Sequence, residues 1–181
     1  MKVIKTNLEG CYVINPTVFE DDRGYFFESF NQNKFQELTG IQVSFVQDNQ
    51  SYSSKGTLRG LHYQRADSAQ AKLVRVISGK VLDVVVDIRP DSPTFGKTFS
   101  IELSAENKTQ LFVPRGFAHG FVVLSETATF LYKCDNFYDK ASEGGIYFAD
   151  TTLNIDWKLP ENELILSEKD KVLPAFENAL L

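Results

Sequence analysis

The sequence predicts an all-β chain, an antiparallel sandwich or barrel for which a jelly roll is the commonest closure. Three observations carry that expectation. About ten short runs rich in β-branched and aromatic residues follow one another along the chain. Clusters of Gly, Pro, Ser, Asn and Asp separate them at close intervals. Aromatic residues make up 13% of the 181 residues, including 15 Phe and 7 Tyr, and flat side chains pack well across neighbouring strands.

In chain order, the strand-like runs are residues 12–18, 24–30, 43–48, 58–64, 73–77, 81–88, 98–103, 111–113, 119–124 and 127–134. Ser78-Gly79-Lys80, Arg89-Pro90-Asp91-Ser92-Pro93, residues 104–107 and Pro114-Arg115-Gly116 are the turns between several of them. One helix is expected over residues 31–38. Asn31 can cap its start, Phe35 and Leu38 lie three apart on one face, and Gly40 follows its end. A second helical stretch is expected in the tail after Pro160. No repeat, low-complexity stretch or linker interrupts the chain, so residues 1–181 read as one domain.

Composition narrows the function classes. A net charge of −5 gives no global basic field for nucleic acid or an anionic membrane. It leaves room for an anionic small ligand, because local Arg and Lys decide that. Cys11 and Cys134 are too few for a disulfide framework, and the opening residues lack the apolar stretch of a signal peptide. No run approaches the ~20 apolar residues of a membrane span. Two matches to the glycosylation pattern, at Asn49 and Asn107, read as chance. The expected location is the cytoplasm. There is no Gly-rich phosphate loop before a helix and no serine-nucleophile elbow.

With only two histidines, chemistry that needs a base near neutral pH has a short list of candidates. His62 lies in Arg59-Gly60-Leu61-His62-Tyr63-Gln64, either as a satisfied core or rim histidine or as a base among the polar neighbours Asn49, Arg59, Tyr63, Gln64 and Lys72. In a regular strand His62 shares a face with Leu58, Gly60 and Gln64, while Arg59 points the other way. Arg59 and His62 serve one ligand only if Gly60 marks a bulge or bend. Metal-binding jelly rolls place two histidines one residue apart, then a carboxylate and a third histidine. Here Gln64 stands two after His62, and His119 is the only other imidazole; two histidines with a carboxylate could still make a facial triad, but a mechanism without metal is expected.

Lys72 aligns with Val74 and Val76, either snorkelling at a strand end or set in a cavity where it could stabilise negative charge. Tyr132 aligns with Phe130 and Cys134, as a packed strand tyrosine or as a general acid. Ser167-Glu168-Lys169-Asp170 reads as a solvated turn, or as the source of a carboxylate that folds back onto His62 and fixes its tautomer.

Eight segments in order extend the pattern over the chain: Asp22-Arg23-Gly24-Tyr25-Phe26-Phe27-Glu28, Gln47-Asp48-Asn49-Gln50-Ser51, Arg59 to Gln64, Ala71-Lys72-Leu73-Val74, Val81 to Arg89, Pro114 to Phe121, Leu131-Tyr132-Lys133-Cys134 and Leu166 to Asp170. Together they resemble the dTDP-4-dehydrorhamnose 3,5-epimerase family of nucleotide-sugar enzymes. The resemblance implies a cupin-type jelly roll (a double-stranded β-helix) with a few short helices, usually dimeric and without cofactor, acting on a dTDP-4-keto-6-deoxyhexose. It implies that His62 is the base, oriented by Asp170, that Tyr132 is the acid on the opposite face, and that Lys72 holds the C4 oxygen. It places Arg23, Glu28, Gln47, Asn49, Arg59, His119, Glu143 and Lys169 at nucleotide- and sugar-binding positions, some of them contributed by a dimer partner. Alternatives on the same scaffold are a C3-only epimerase and a 3,4-ketoisomerase, and Tyr132 argues against the latter. Outside that class stand a non-catalytic sugar-binding jelly roll and a metal-dependent cupin.

Overall fold

The computed structural model describes residues 1–181 as two facing antiparallel sheets, a jelly roll. One sheet has six strands in the spatial order β1 (Lys2–Lys5), β2 (Tyr12–Asn15), β10 (Gln110–Val113), β7 (Lys72–Ser78), β12 (Thr127–Cys134) and β5 (Gln47–Ser54). The other has five: β13 (Glu143–Gly145), β6 (Leu58–Gln64), β11 (Phe117–Val123), β8 (Lys80–Asp87) and β9 (Thr98–Ser104). A separate hairpin joins β3 (Val18–Asp21) to β4 (Gly24–Phe27). From β5 onward most connections cross from one sheet to the other, which closes the roll.

Alternation along the strands fills the space between the sheets. Val74, Val76, Leu111, Val113 and Phe130 of the six-stranded sheet meet Val81, Val85, Leu103, Phe117, Phe121 and Val123 of the other. β8 is buried on both faces apart from its first residue. Its opposite face, with Leu82, Val84 and Val86, lies under Ile146, Phe148, Leu153 and Trp157 from the C-terminal segment. That second covering explains why Val81-Leu82-Asp83-Val84-Val85-Val86 is nearly all apolar instead of alternating with polar residues. A third cluster seats Phe35 of α1 (Gln32–Thr39) on Ile14, Leu73 and Phe112, on the outside of the six-stranded sheet.

The helix starts and stops as expected. Asn31 accepts a hydrogen bond from the Lys34 amide, and Gly40 ends the helix at φ 75°. Only Phe35 is buried, whereas Leu38 stays exposed. Other expectations are corrected. The strand expected over 43–48 lies at Gln47–Ser54, while Val43 instead packs in the cluster beneath α1. The runs at 12–18 and 24–30 end early, at Asn15 and Phe27. The short strands β1 and β13 were not foreseen, and β1 is an edge strand bracketed by lysines, a usual protection against edge pairing. The tail has no α-helix after Pro160, only 3-10 turns at Glu161–Glu163, Asp170–Val172 and Phe176–Asn178. Its apolar residues spread over the sheet below instead of lining one helical face.

Candidate active site

The site is lined by residues of both sheets and of the C-terminal tail, and its geometry begins at Gly60. The pairing of β6 with β11 runs His119 to His62 and then Phe121 to Arg59, a register shift that places one extra residue on β6. Leu58, Leu61 and Tyr63 therefore pack together on the outer face, while Arg59 and His62 both line the cavity. A bulge of this kind re-aims side chains in the way a shared site requires. Glycine is demanded here. Gly60 has φ 129°, and a Cβ would stand 2.6 Å from the Gly120 Cα and 2.8 Å from the His119 carbonyl oxygen.

The cavity has a volume of about 580 Å³, within the usual range for small-molecule sites. His62 and Asp170 form its best-defined pair. The tail is anchored beside β6 by hydrogen bonds from Leu58 to Ile165 and from Ile165 to Gly56. It then turns so that Asp170 Oδ1 lies 2.6 Å from His62 Nε2, across 108 residues of sequence. Burial alone would raise the Asp170 carboxyl. The His62 hydrogen bond and charge, the Ser167 hydroxyl and the Gly60 amide more than offset that, and hold it below the usual value. An ionised carboxylate accepts from Nε2–H, which leaves Nδ1 with its lone pair free to take a proton. The His62 side chain keeps 30% of its exposure, so solvent and ligand both reach the ring.

The facing wall comes from the six-stranded sheet. Lys72 is only 9% exposed, and its ammonium lies 5.9 Å from the centre of the Tyr132 ring. Burial pushes the Lys72 ammonium below the usual lysine value, opposed by nearby Cys134 and Asp83. Burial raises the Tyr132 phenol, helped by Cys134 and opposed by Arg59, so the phenol carries its proton at neutral pH. On the same sheet as His62, His119 Nε2 of β11 lies 2.9 Å from Oδ2 of fully buried Asp83 on β8. Burial raises the Asp83 carboxyl, and His119 and Lys72 oppose it.

Eight of the twelve residues expected at the site line this one cavity: Asn49, Arg59, His62, Lys72, His119, Tyr132, Lys169 and Asp170. Gln47 and Glu143 sit at its edge, Gln47 bonded to Asn49 and Glu143 ion-paired with Lys169. Arg23 and Glu28 do not join it. Arg23 turns back onto Asp21 at the tip of the β3–β4 hairpin, and Glu28 bonds to Asn31 and Lys34. Several polar residues at or behind the site were missed, among them Gln50, Ser51, Thr57 and Ser167 in its lining and Asp83 and Ser53 behind it. Asp83 could have been found, since a lone carboxylate in an apolar strand must have a buried partner. Ser53, which accepts from the Arg59 guanidinium at 3.2 and 3.3 Å, and Ser167 carried no signal. No group of three or more His, Cys, Asp and Glu side chains converges as a metal-binding set.

A jelly roll that sets a carboxylate-held imidazole against a protonated phenol and a buried ammonium belongs to the proton-transfer enzymes. Comparison with known proteins narrows the class. Residues 5–178 match the family model described as dTDP-4-dehydrorhamnose 3,5-epimerase. The chain is 54% identical over 184 residues to the protein of that name from Salmonella typhimurium, covering 100% of this chain and 98% of that one. The crystal structure of the Elizabethkingia anophelis dTDP-4-dehydrorhamnose 3,5-epimerase superposes with a TM-score of 0.96 at 63% identity, covering 98% of this chain and 97% of that chain. A Legionella pneumophila dTDP-6-deoxy-D-glucose-3,5-epimerase, solved with dTDP-4-keto-L-rhamnose, superposes at 0.94 with 48% identity and covers 98% of this chain and 93% of that one. The chain belongs to the dTDP-4-dehydrorhamnose 3,5-epimerase family.

Proposed function

We propose that this chain epimerises dTDP-4-dehydro-6-deoxy-D-glucose at C3 and C5 to dTDP-4-dehydro-L-rhamnose, a step of dTDP-L-rhamnose biosynthesis. The observation that carries this reading is the placement of the His62–Asp170 pair and the Tyr132 phenol on walls from opposite sheets of one cavity. C3 and C5 both flank the C4 keto group, so a proton on either is acidified by the carbonyl. His62 Nδ1 takes that proton, the C–H electron pair moves onto the carbonyl oxygen, and an enolate forms. The Lys72 ammonium meets the developing charge where little water competes with it. Tyr132 then delivers its proton to the same carbon from the other face, and the centre inverts. Each positioned acid or base contributes about 10²–10⁴-fold. The cycle closes when His62 and Tyr132 exchange protons with solvent, for which the partly exposed imidazole is suited.

Arg59 and Lys169 supply positive charge for the pyrophosphate despite the acidic total. The remaining binding positions, Arg23 and Glu28, are assigned to the site of a partner copy in a homodimer. Support comes from the hairpin that carries Arg23, where Phe19 and Phe26 are 63% and 70% exposed, an apolar surface of the kind that marks an interaction site. The cytoplasm remains the proposed location, and no helix is long and apolar enough to cross a membrane.

The test is incubation with dTDP-4-keto-6-deoxyglucose in D₂O, followed by NMR. Deuterium is expected at both C3 and C5. Exchange at C3 alone makes the chain a single epimerase, and no exchange removes the substrate assignment.

A further inference from the structure

Asp170 reaches His62 from a tail that is seated on β13, and the seat has a definite shape. Gly145 of β13 is the cross-strand partner of His62, and Leu173 stands three residues after Asp170. The 3-10 turn Asp170–Val172 joins the two tail residues. Side chains three apart on such a turn eclipse one another, so Asp170 and Leu173 issue from one side of it. Asp170 bonds to His62, and Leu173 fits over Gly145. The fit is close. A Cβ on Gly145 would stand 2.6 and 2.8 Å from the two Leu173 methyl carbons and 3.0 Å from the Leu61 carbonyl oxygen. Gly145 is buried and does not lie at positive φ, so its missing side chain serves the space that Leu173 fills and not a special backbone conformation. The backbone behind this contact is held from both sides. Ile146 exchanges two hydrogen bonds with Leu61, at 3.0 and 3.2 Å, and the Tyr147 N–H donates to the Pro174 carbonyl at 2.8 Å.

We propose that Gly145 and Leu173 are positioning residues: the leucine side chain, seated in the space above Gly145, sets the distance at which the Asp170 carboxylate meets His62. Neither residue lines the cavity, so both act through the carboxylate and not on the ligand. This rests on the reading of His62 as the base. Other restraints on the turn are weaker or farther away. The Ile165 anchor lies five residues before Asp170. The ion pair of Lys169 with Glu143 joins two long side chains, the lysine half-exposed, and such pairs hold a geometry loosely. A methyl-to-backbone contact against a paired strand is stiff, because the backbone cannot swing aside.

The experiment is a cycle of Gly145→Ala, Leu173→Ala and the two together, read by steady-state kinetics with dTDP-4-keto-6-deoxyglucose and by ¹⁵N-edited NMR of the free protein. In Gly145→Ala the leucine methyls must retreat by about 1 Å to reach an ordinary contact of about 3.5–4.0 Å. Its kcat is expected to fall by about 10- to 100-fold, with KM little changed. Leu173→Ala removes the spacer and should also lower kcat, by less. In the double variant the new methyl occupies space that the leucine has left, so kcat should recover above that of Gly145→Ala alone. A double variant no faster than Gly145→Ala would overturn the proposal. Leu173→Ala, which only removes atoms, decides alone where Gly145→Ala yields no folded protein, and wild-type kcat in it is the overturning result. The NMR reading separates positioning from general loosening. The His62 Nε2–H bonded to Asp170 should shift in each single variant, while the His119 Nε2–H bonded to Asp83 stays in place. If both ring protons move together, or neither does, Leu173 does not set this distance. Wild-type protein that fails to turn over the keto sugar would remove the functional reading, and the two ring protons would still decide the spacing.

Discussion

Replacing Gly60 by alanine tests the geometry on which the site rests, and Gly24→Ala supplies its control. Both glycines sit at similar positive φ, 129° and 122°. A Cβ at Gly24 meets nothing within 4 Å, whereas at Gly60 it meets backbone of β11 at 2.6 and 2.8 Å. Gly24→Ala therefore carries the conformational cost alone, about 1–3 kcal/mol. Gly60→Ala adds a clash between two strands, and a backbone atom cannot swing aside as a side chain can. Overpacking of this kind typically adds about 1–3 kcal/mol. At this chain length each kcal/mol lowers Tm by roughly 2–4 °C. Gly24→Ala should thus lose a few degrees and Gly60→Ala about 10 °C, measured side by side by calorimetry. If the strands part to admit the methyl, Arg59 and His62 move with them, and a shift near 1 Å can cost about 100-fold in turnover. A Gly60→Ala protein with the Tm of Gly24→Ala and wild-type turnover would refute the claim that this close approach sets the phase of β6.

Three further outcomes are expected. His62→Ala should abolish deuterium exchange at C3 and C5, whereas Tyr132→Phe should impair inversion and leave some exchange; normal exchange in His62→Ala would put the base elsewhere. Asp170→Asn should lower kcat by about 10²-fold or more, because an amide can hold the ring in the wrong tautomer, with KM little changed; unaltered kcat in steady-state assays would deny Asp170 its orienting part. Asp87 is opposed by burial, yet Arg89, Ser92 and Thr94 hold its carboxyl down to about 2. Its folded value lies below the unfolded one, so its stabilisation is complete above about pH 4 and lost as pH falls towards 2. Urea midpoints between pH 2 and 5 should therefore fall more steeply for wild type than for Asp87→Asn, and parallel curves would contradict this.

The strands that carry apolar alternation were legible in the sequence, and β6 and β12 begin and end where their side-chain pattern does. β5 was misplaced because its residues, Gln47-Asp48-Asn49-Gln50-Ser51-Tyr52-Ser53-Ser54, show almost no apolar period. It is an edge strand whose inner face borders the cavity instead of the core, so polar side chains there are a consequence of the site. The tail misled for the opposite reason. A helical stretch was expected after Pro160, but the apolar residues there, Leu164, Leu166 and Phe176 among them, are spaced to cover a sheet. The Ser167 to Asp170 turn was open to two readings, a solvated turn or the source of a carboxylate for His62, and only the family likeness singled out Asp170. Arg23 lies at the tip of the β3–β4 hairpin and Glu28 beside the start of α1, both outside the cavity.

By itself the sequence determined which residues alternate, where the turns fall and that base, cation and phenol were available, because these follow from side-chain chemistry and local periodicity. It also posed the question at Gly60, since a regular strand would have sent Arg59 and His62 to opposite faces. Only the tertiary structure answered it. The register shift against β11 rephases β6, and the close approach of Gly60 to Gly120 is a contact between strands about which neither strand carries information alone. The pairing of Asp170 with His62 and of Asp83 with His119 was decided in the same way. Hydrogen bonds spanning 108 and 36 residues depend on how sheets and tail pack, and packing is a property of the folded chain as a whole.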